Sequence, residues 1–223
     1  MNPPFQRILN GLIALIVPFF LLMTAIRIMF TPVYLQVEYR APGFPADTYG
    51  FTLDDRLHYG RVSMEYLLNN SGIEFLAEQR LPDGKPLYND RELSHMVDVK
   101  LVLQGMVRAW WVLLVILLGL GAWAWRTGSL RSFWRALGTG GKLTIGLIVL
   151  ILAAVAISFN GLFTAFHKVF FTGDTWLFYY SDSLIRLFPI PFWRDAFILV
   201  GLLTILSAIL CIYLGRRLGR KAA

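Results

Sequence analysis

Four apolar stretches decide most of what this chain can fold into. Residues 8–29, 103–125, 143–166 and 196–214 are each long enough to cross a hydrocarbon layer, which takes roughly 20 apolar residues in a helix. Lipid supplies no water to satisfy an open backbone group, so each stretch must close its hydrogen bonds internally and is expected to be helical. Composition agrees: 57% of the 223 residues are hydrophobic and mean hydropathy is +0.58, well above ordinary soluble domains. The expected fold class is all-α integral membrane, a single membrane domain built as a bundle of four transmembrane helices. Arg7 precedes the first run as it would in a secretory signal, but that run is too long for a signal and lacks a small-residue cleavage pattern, so it reads as retained. Pro18 inside it removes one backbone donor and is a candidate kink.

Charge gives the orientation. All 14 acidic residues fall within residues 31–102 and 167–195, whereas the other flanking segments are purely basic: Arg7; Arg126, Arg131, Arg135 and Lys142; Arg216, Arg217, Arg220 and Lys221. By the positive-inside rule both termini are cytoplasmic and the two acid-containing loops face away from the cytoplasm. The net charge of +7 is then a topology signal, and no nucleic-acid motif accompanies it. The expected location is a bacterial cytoplasmic membrane with an extracytoplasmic working face, among membrane phospholipids. The single cysteine, Cys211, lies in the last span and offers neither a disulfide framework nor a cysteine-rich metal site. No span carries a midplane acid or an evident helix break, which argues against a transport pathway.

Residues 31–102 are too many for a simple connection, and they predict a small, mostly helical extracytoplasmic cap. Alternation at Tyr34, Gln36 and Glu38 predicts a short extended piece ending in the Pro42-Gly43 turn. The spacing of Leu57, Val62, Tyr66 and Leu67 predicts a helix opened by Thr52 or Asp54 and stopped near 70–72. Pro82-Asp83-Gly84 is turn chemistry. Asn89 followed three residues on by Glu92 is a capping signature for a helix continuing unbroken into the second span. The outer segment 167–195 is rich in aromatic residues suited to a headgroup boundary.

The three histidines, His58, His95 and His167, all fall in the two outer segments. At 1.5 Å per residue His95 lies roughly 12 Å before Leu103, and His167 lies within about one turn of the end of the third span, so the two can converge near ester depth. His95 and Asp98 share a helix face, where the aspartate either orients the imidazole or forms an ordinary exposed pair. A zinc site of His95, Asp98 and His167 lacks any close two-histidine ligand motif. His167 reads equally as a polar end to its helix, with Lys168 as a snorkelling charge. Arg27 and Arg108, near the outer ends of spans, either hold a phosphate or ester carbonyl or reach toward headgroups. Asp174 and Asp182 either orient a histidine or cap the re-entering segment, and His58 reads as a surface or packing residue.

The segments "RELSHMVDVKLVL" (91–103) and "FHKVFFTGDTWLF" (166–178), together with the four-span layout, resemble the bacterial lipoprotein intramolecular transacylases. The first matches that family's Glu-x-x-His-Met-x-Asp-Val-Lys segment, and the second its Phe-His-x-x-Phe-Phe-x-x-Asp-x-Trp-x-Phe segment. The resemblance implies an acyltransferase that moves an sn-2 acyl chain of a diacylglyceryl-cysteine lipoprotein to the α-amine of the same cysteine, leaving a lyso-form lipoprotein. It places the two family histidines on His95 and His167, with Asp98, Lys100, Asp174 and Trp176 at other motif positions. No cofactor and no metal is expected. After Trp176-Leu177-Phe178 the sequence departs from the pattern, with Tyr179 and Tyr180 where an aspartate and a proline are expected.

The chemistry suits these residues. An α-amine of pKa about 7.7 to 8.0 is mostly protonated at neutral pH, and a histidine is a fitting base to make it nucleophilic. His95 oriented by Asp98 is the expected base, with His167 as acid or oxyanion stabiliser, or the reverse. The competing readings are a non-catalytic lipid- or lipoprotein-binding membrane protein and a divergent metal-dependent membrane enzyme.

Overall fold

The computed structural model describes residues 3–220, so Lys221, counted above in the basic tail, lies outside the described residues. The order is α1 (Pro3–Met29), α2 (Pro32–Glu38), α3 (Leu53–Leu68), α4 (Glu74–Ala77), α5 (Asp90–Arg126), α6 (Leu130–Phe170), α7 (Ser183–Leu187) and α8 (Ile190–Arg220). Among the described residues the only β pairing is an isolated bridge between Arg80 and Pro86 around the Pro82-Asp83-Gly84 turn. Helices α1, α5, α6 and α8 are each long and apolar enough to cross a membrane, and the protein is a multi-pass, all-α membrane protein. The 37 residues of α5 rise about 55 Å, more than the roughly 30 Å of hydrocarbon. Its first turns, Asp90 to Lys100, are its polar part, and the helix has length to spare for them beyond a hydrocarbon core.

The chain forms two compact units. The first gathers the segment up to Ile28, Val107–Ile157, and the segment from Phe197 onward. Its core brings together Ile13, Val17 and Leu21 of α1, Leu117 and Ala124 of α5, Phe133 and Ala136 of α6, and Ala208 of α8. In lipid no hydrophobic drive pulls helices together, so close backbone approach matters, and small residues permit it. A methyl group on Gly140 would lie 2.5 Å from Val17 Cβ and 2.9 Å from the Ala14 carbonyl, and one on Gly141 would meet the Ala208 carbonyl at 2.7 Å. The Gly140-Gly141 pair therefore seats α1 on one side of α6 and α8 on the other. Asn10 donates to Ser132 at 2.7 Å in the same unit. Helix α1 runs continuously through Pro18.

The second unit comprises Met29–Met106 and Ser158–Ala196. Two capping boxes fix the starts of α3 and α5; the sequence predicts the second, and for α3 it leaves the opener between Thr52 and Asp54, of which the structure uses Thr52. Thr52 accepts from Asp55 N–H while the Asp55 carboxylate accepts from Thr52 N–H, and Asn89 and Glu92 exchange the same pair of bonds at 3.0 and 2.8 Å. The part-buried Asp47–Arg186 ion pair, 3.0 Å, ties the loop after α2 to α7, with the Arg186 guanidinium 3.5 Å from the centre of the Phe51 ring.

Two expectations are corrected here. The predicted extended piece at Tyr34 to Glu38 is the helix α2: Pro32 at its first turn is preorganised for helix, and a seven-residue stretch is too short for alternation to exclude it. The third span is not free of a break. Ser158 in α6 is non-helical (φ −160°, ψ 95°), and its hydroxyl accepts from Gly161 N–H at 3.1 Å, so the chain is recapped inside the helix.

Candidate functional site

The site lies within the second unit. His95 is carried three residues past the Glu92 capping box on the first turns of α5, so the cap that starts the helix also fixes the imidazole's height. His167 sits near the end of α6, in the shorter segment that follows the Ser158 break. Their rings face each other nearly parallel, with centroids 5.9 Å apart and an interplanar angle of 21°. The two histidine motifs therefore converge.

Both imidazoles are nearly sealed from water, at 7% and 8% exposure. An aromatic wall surrounds them: Phe171 and Phe178 meet His95 edge-on at 4.9 and 5.3 Å, and Phe163, Phe171 and Trp176 meet His167 at 4.1, 5.5 and 5.0 Å. Burial disfavours the charged form of each ring. It pushes His95 down to about 4, with the neighbouring His167 adding to the effect. Burial also lowers His167, and the hydrogen bond to the Phe163 carbonyl opposes that shift. Both histidines are thus held neutral at physiological pH.

Their hydrogen bonding differs. Nδ1 of His167 lies 2.7 Å from the Phe163 carbonyl oxygen. A carbonyl only accepts, so Nδ1 carries the proton and Nε2 of the neutral ring holds the free lone pair. Nδ1 of His95 is buried and makes no hydrogen bond among the described residues. Buried polar atoms without partners are rare, and this one leaves Nδ1 of His95 open to a further hydrogen bond.

The other residues singled out from sequence divide clearly. Trp176 packs on His167 and is pinned by its indole N–H to the Gly173 carbonyl at 3.1 Å. Gly173, at φ +69°, supplies the left-handed turn that folds the indole back. Asp98 does not orient His95: it makes no hydrogen bond to the ring, whose Nδ1 is left unpartnered. Lys100 points into the cap, donating to the Ser71 carbonyl at 2.6 Å and to Asn69 at 3.2 Å, with its ammonium 3.9 Å from the Tyr66 ring centre. Asp174 is exposed and contributes its carbonyl to a turn with Leu177 N–H. Asp182 braces the loop, accepting from Tyr179 N–H and from the Asn89 side chain, with Arg91 at 3.6 Å. Arg27 and Arg108 belong to the first unit. The Arg27 guanidinium stands over Trp110 and Trp111 at 4.6 and 5.3 Å, and Arg108 is exposed. His58 is an exposed residue of α3. Among the described residues no group of three or more His, Cys, Asp or Glu side chains is placed to hold a metal, so His95, Asp98 and His167 do not assemble as zinc ligands.

Two contributors escaped the sequence reading. Phe163 supplies a backbone carbonyl, which no side-chain pattern announces. Glu92 reads as a cap, but its second oxygen also accepts from Leu184 N–H at 2.7 Å and so fastens α7 beside the histidine helix.

Residues 11–193 match the family described as lipoprotein intramolecular transacylase Lit. An uncharacterized protein of Aquifex aeolicus (strain VF5) is 31% identical over 97% of this chain and 96% of its own length. Among solved structures, the membrane integral lipoprotein intramolecular transacylase Lit from Bacillus cereus covers 97% of both chains with a TM-score of 0.82 at 22% identity. A histidine-to-arginine variant of that protein matches with a TM-score of 0.69 at 24% identity, over 97% of this chain and 95% of its own. At these identities the likeness to the solved structures is one of fold.

Proposed function

The chain belongs to the lipoprotein intramolecular transacylase family, and from that premise we propose that it moves the sn-2 acyl chain of a diacylglyceryl-modified amino-terminal cysteine onto the α-amine of the same cysteine. The amine and ester belong to one molecule, so the protein needs no side-chain nucleophile. It has to bring the two groups together, move one proton and stabilise one developing charge.

The observation that carries this reading is the neutral histidine pair with its two kinds of nitrogen. Nε2 of His167, whose tautomer is set by the Phe163 carbonyl, takes a proton from the attacking amine as the N–C bond forms. His95, neutral and with Nδ1 unpartnered, donates an N–H to the oxyanion of the tetrahedral intermediate. The C–O bond to glycerol then breaks, and the His167 imidazolium returns its proton to the departing oxygen. The amine has lost one proton and the glycerol oxygen has gained one, so the balance closes without a cofactor. Of the two assignments the sequence leaves open, this reading takes the one with His167 as base, because His95 is the more strongly depressed of the two. The aromatic wall excludes water, which would otherwise compete with the amine for the ester. The basic segments that flank the spans support an orientation with both termini cytoplasmic and this site on the extracytoplasmic side.

Product and substrate are isomers of one mass, so the test is tandem mass spectrometry of a diacylglyceryl lipopeptide, with amine labelling, before and after exposure to the purified protein. The expected result is an N-acyl-cysteine fragment and loss of the labelled amine. A free amine persisting in the presence of folded protein would overturn the activity. Lipopeptide binding that survives substitution of both histidines, without turnover in the native protein, would assign a binding role instead.

A further inference from the structure

The second unit holds another concave site that acyl transfer does not use. Helices α2 and α3 border a cavity of about 240 Å³ lined by Pro32, Leu35, Gln36, Leu57, His58 and Arg61. Its wall is divided by chemistry. Pro32, Leu35 and Leu57 are apolar, whereas His58 and Arg61, three apart on α3, present two nitrogen heads on one helix face. Arg40 donates to the Gln36 side-chain oxygen at 2.6 Å and to its carbonyl at 3.2 Å. A second guanidinium therefore stands beside the cavity, and the Gln36 NH2 is left as a further donor. Three carboxylates share α3 with these heads: Glu65 lies 3.7 Å from Arg61 with both side chains more than half exposed, and such pairs are weak, while Asp55 is committed to the Thr52 cap and Asp54, one turn before His58, forms no ion pair among the described residues. The site offers positive charge and donors, and it invites an anion.

Its surroundings say which anion. Helix α1 ends at Met29 and α2 begins at Pro32, so one wall of the cavity emerges directly from the first transmembrane helix. On α2 the inward residues are Tyr34, Leu35 and Glu38, while Val33 and Val37, one turn apart, are 67% and 63% exposed. A short helix that turns two valines outward immediately after a span suits the boundary between headgroups and acyl chains, where lipid covers the apolar face. A free phosphate ion would satisfy the donors and leave the valines in water. A phospholipid satisfies both.

We propose that this cavity binds the phosphodiester headgroup of an anionic phospholipid, with Arg61 and His58 donating to phosphate oxygens and Val33 and Val37 lying against its acyl chains. The site is separate from the histidine pair, and the proposal does not depend on acyl transfer.

The test uses the purified full-length protein in neutral detergent, titrated with phosphatidylglycerol, phosphatidylcholine or inorganic phosphate and read by native mass spectrometry and by the thermal unfolding midpoint. Phosphatidylglycerol is expected to remain bound and to raise the midpoint, with phosphatidylcholine retained less. Arg61→Gln and His58→Gln are each expected to weaken phosphatidylglycerol retention by roughly tenfold, the loss of one charge-assisted hydrogen bond. Arg61→Lys should keep part of the effect, and Arg131→Gln, an exposed arginine of α6, should leave it unchanged. Equal retention by the native protein and by both glutamine variants overturns the site, and the His58 variant alone suffices if Arg61→Gln does not fold. Phosphatidylcholine bound as tightly as phosphatidylglycerol overturns the charge selectivity. Inorganic phosphate stabilising as well as the lipid, with the same sensitivity to substitution, overturns the lipid assignment in favour of a free anion.

Discussion

Nδ1 of His167 lies 2.7 Å from the carbonyl oxygen of Phe163, one helical turn earlier, and this contact makes the two histidines chemically unequal. One ring has its proton fixed on the nitrogen that faces its own helix, which frees the other nitrogen as a base. The facing ring, His95, has a buried nitrogen with no partner. His167→Gln should therefore lower kcat by about 10² to 10⁴, the usual worth of a positioned base. His95→Gln, whose amide still offers an N–H, should lose less than His95→Ala. Single-turnover kinetics on a lipopeptide would check the order, and equal losses for the glutamine and alanine variants at position 95 would remove the donor role.

The pH dependence follows from the depressed histidines. Burial lowers His95 to about 4 and lowers His167 below the usual imidazole value. A lowered pKa keeps the neutral, reactive form in place as the pH falls. The first group to take up a proton and stop the reaction is then the substrate amine, near about 7.7 to 8.0. The acid limb of kcat/KM should bend near pH 8 and show no second bend at 6.5. An inflection at 6.5 that disappears in His167→Gln would contradict this.

Glu92 couples the histidine helix to α7 through hydrogen bonds from Asn89 N–H and Leu184 N–H. Burial raises its carboxyl to about 6, with Asp182 adding and the two N–H donors and Arg91 opposing. Between about 4.5, the ordinary value, and 6 the folded state binds more protons than the unfolded one. The stability Glu92 contributes through ionisation is thus full below 4.5 and is lost as the pH rises through 6. Glu92→Gln can accept through only one oxygen and leaves one buried N–H unpaired, costing about 1–3 kcal/mol. Thermal unfolding across pH 4 to 7 should show a lower midpoint for the variant and no decline between 4.5 and 6 that is due to this group.

Lys100 lies in the histidine motif, yet it is committed to Ser71, Asn69 and Tyr66. Lys100→Met should lower the unfolding midpoint, since the Ser71 carbonyl loses a charged donor. Turnover per folded molecule should stay within about twofold. A hundredfold fall in kcat with an unchanged midpoint would place Lys100 in the chemistry.

What the sequence determined by itself is the part set by local rules and by solvent. Twenty-residue apolar runs must be helices in lipid, so the all-α membrane class was legible from hydropathy. The Thr52–Asp55 and Asn89–Glu92 boxes are contacts between residues three apart, and the second was legible in full from spacing. Tertiary structure decided whatever depends on residues distant in the chain or on backbone atoms. The spacing of His95 and Asp98 suggested a pair, but the ring meets Phe171, Phe178 and His167 instead, because burial of an apolar face outweighs a solvated carboxylate–imidazole contact. The motif marked Lys100 and His95 alike; the turn of the helix sends one into the cap and the other to His167. The tautomer of His167 rests on a carbonyl that no residue type encodes, and the break at Ser158 rests on a φ/ψ pair that a serine seldom reveals. A sequence names the groups that can react, but the nitrogen that carries the proton is set by the atoms folded against it.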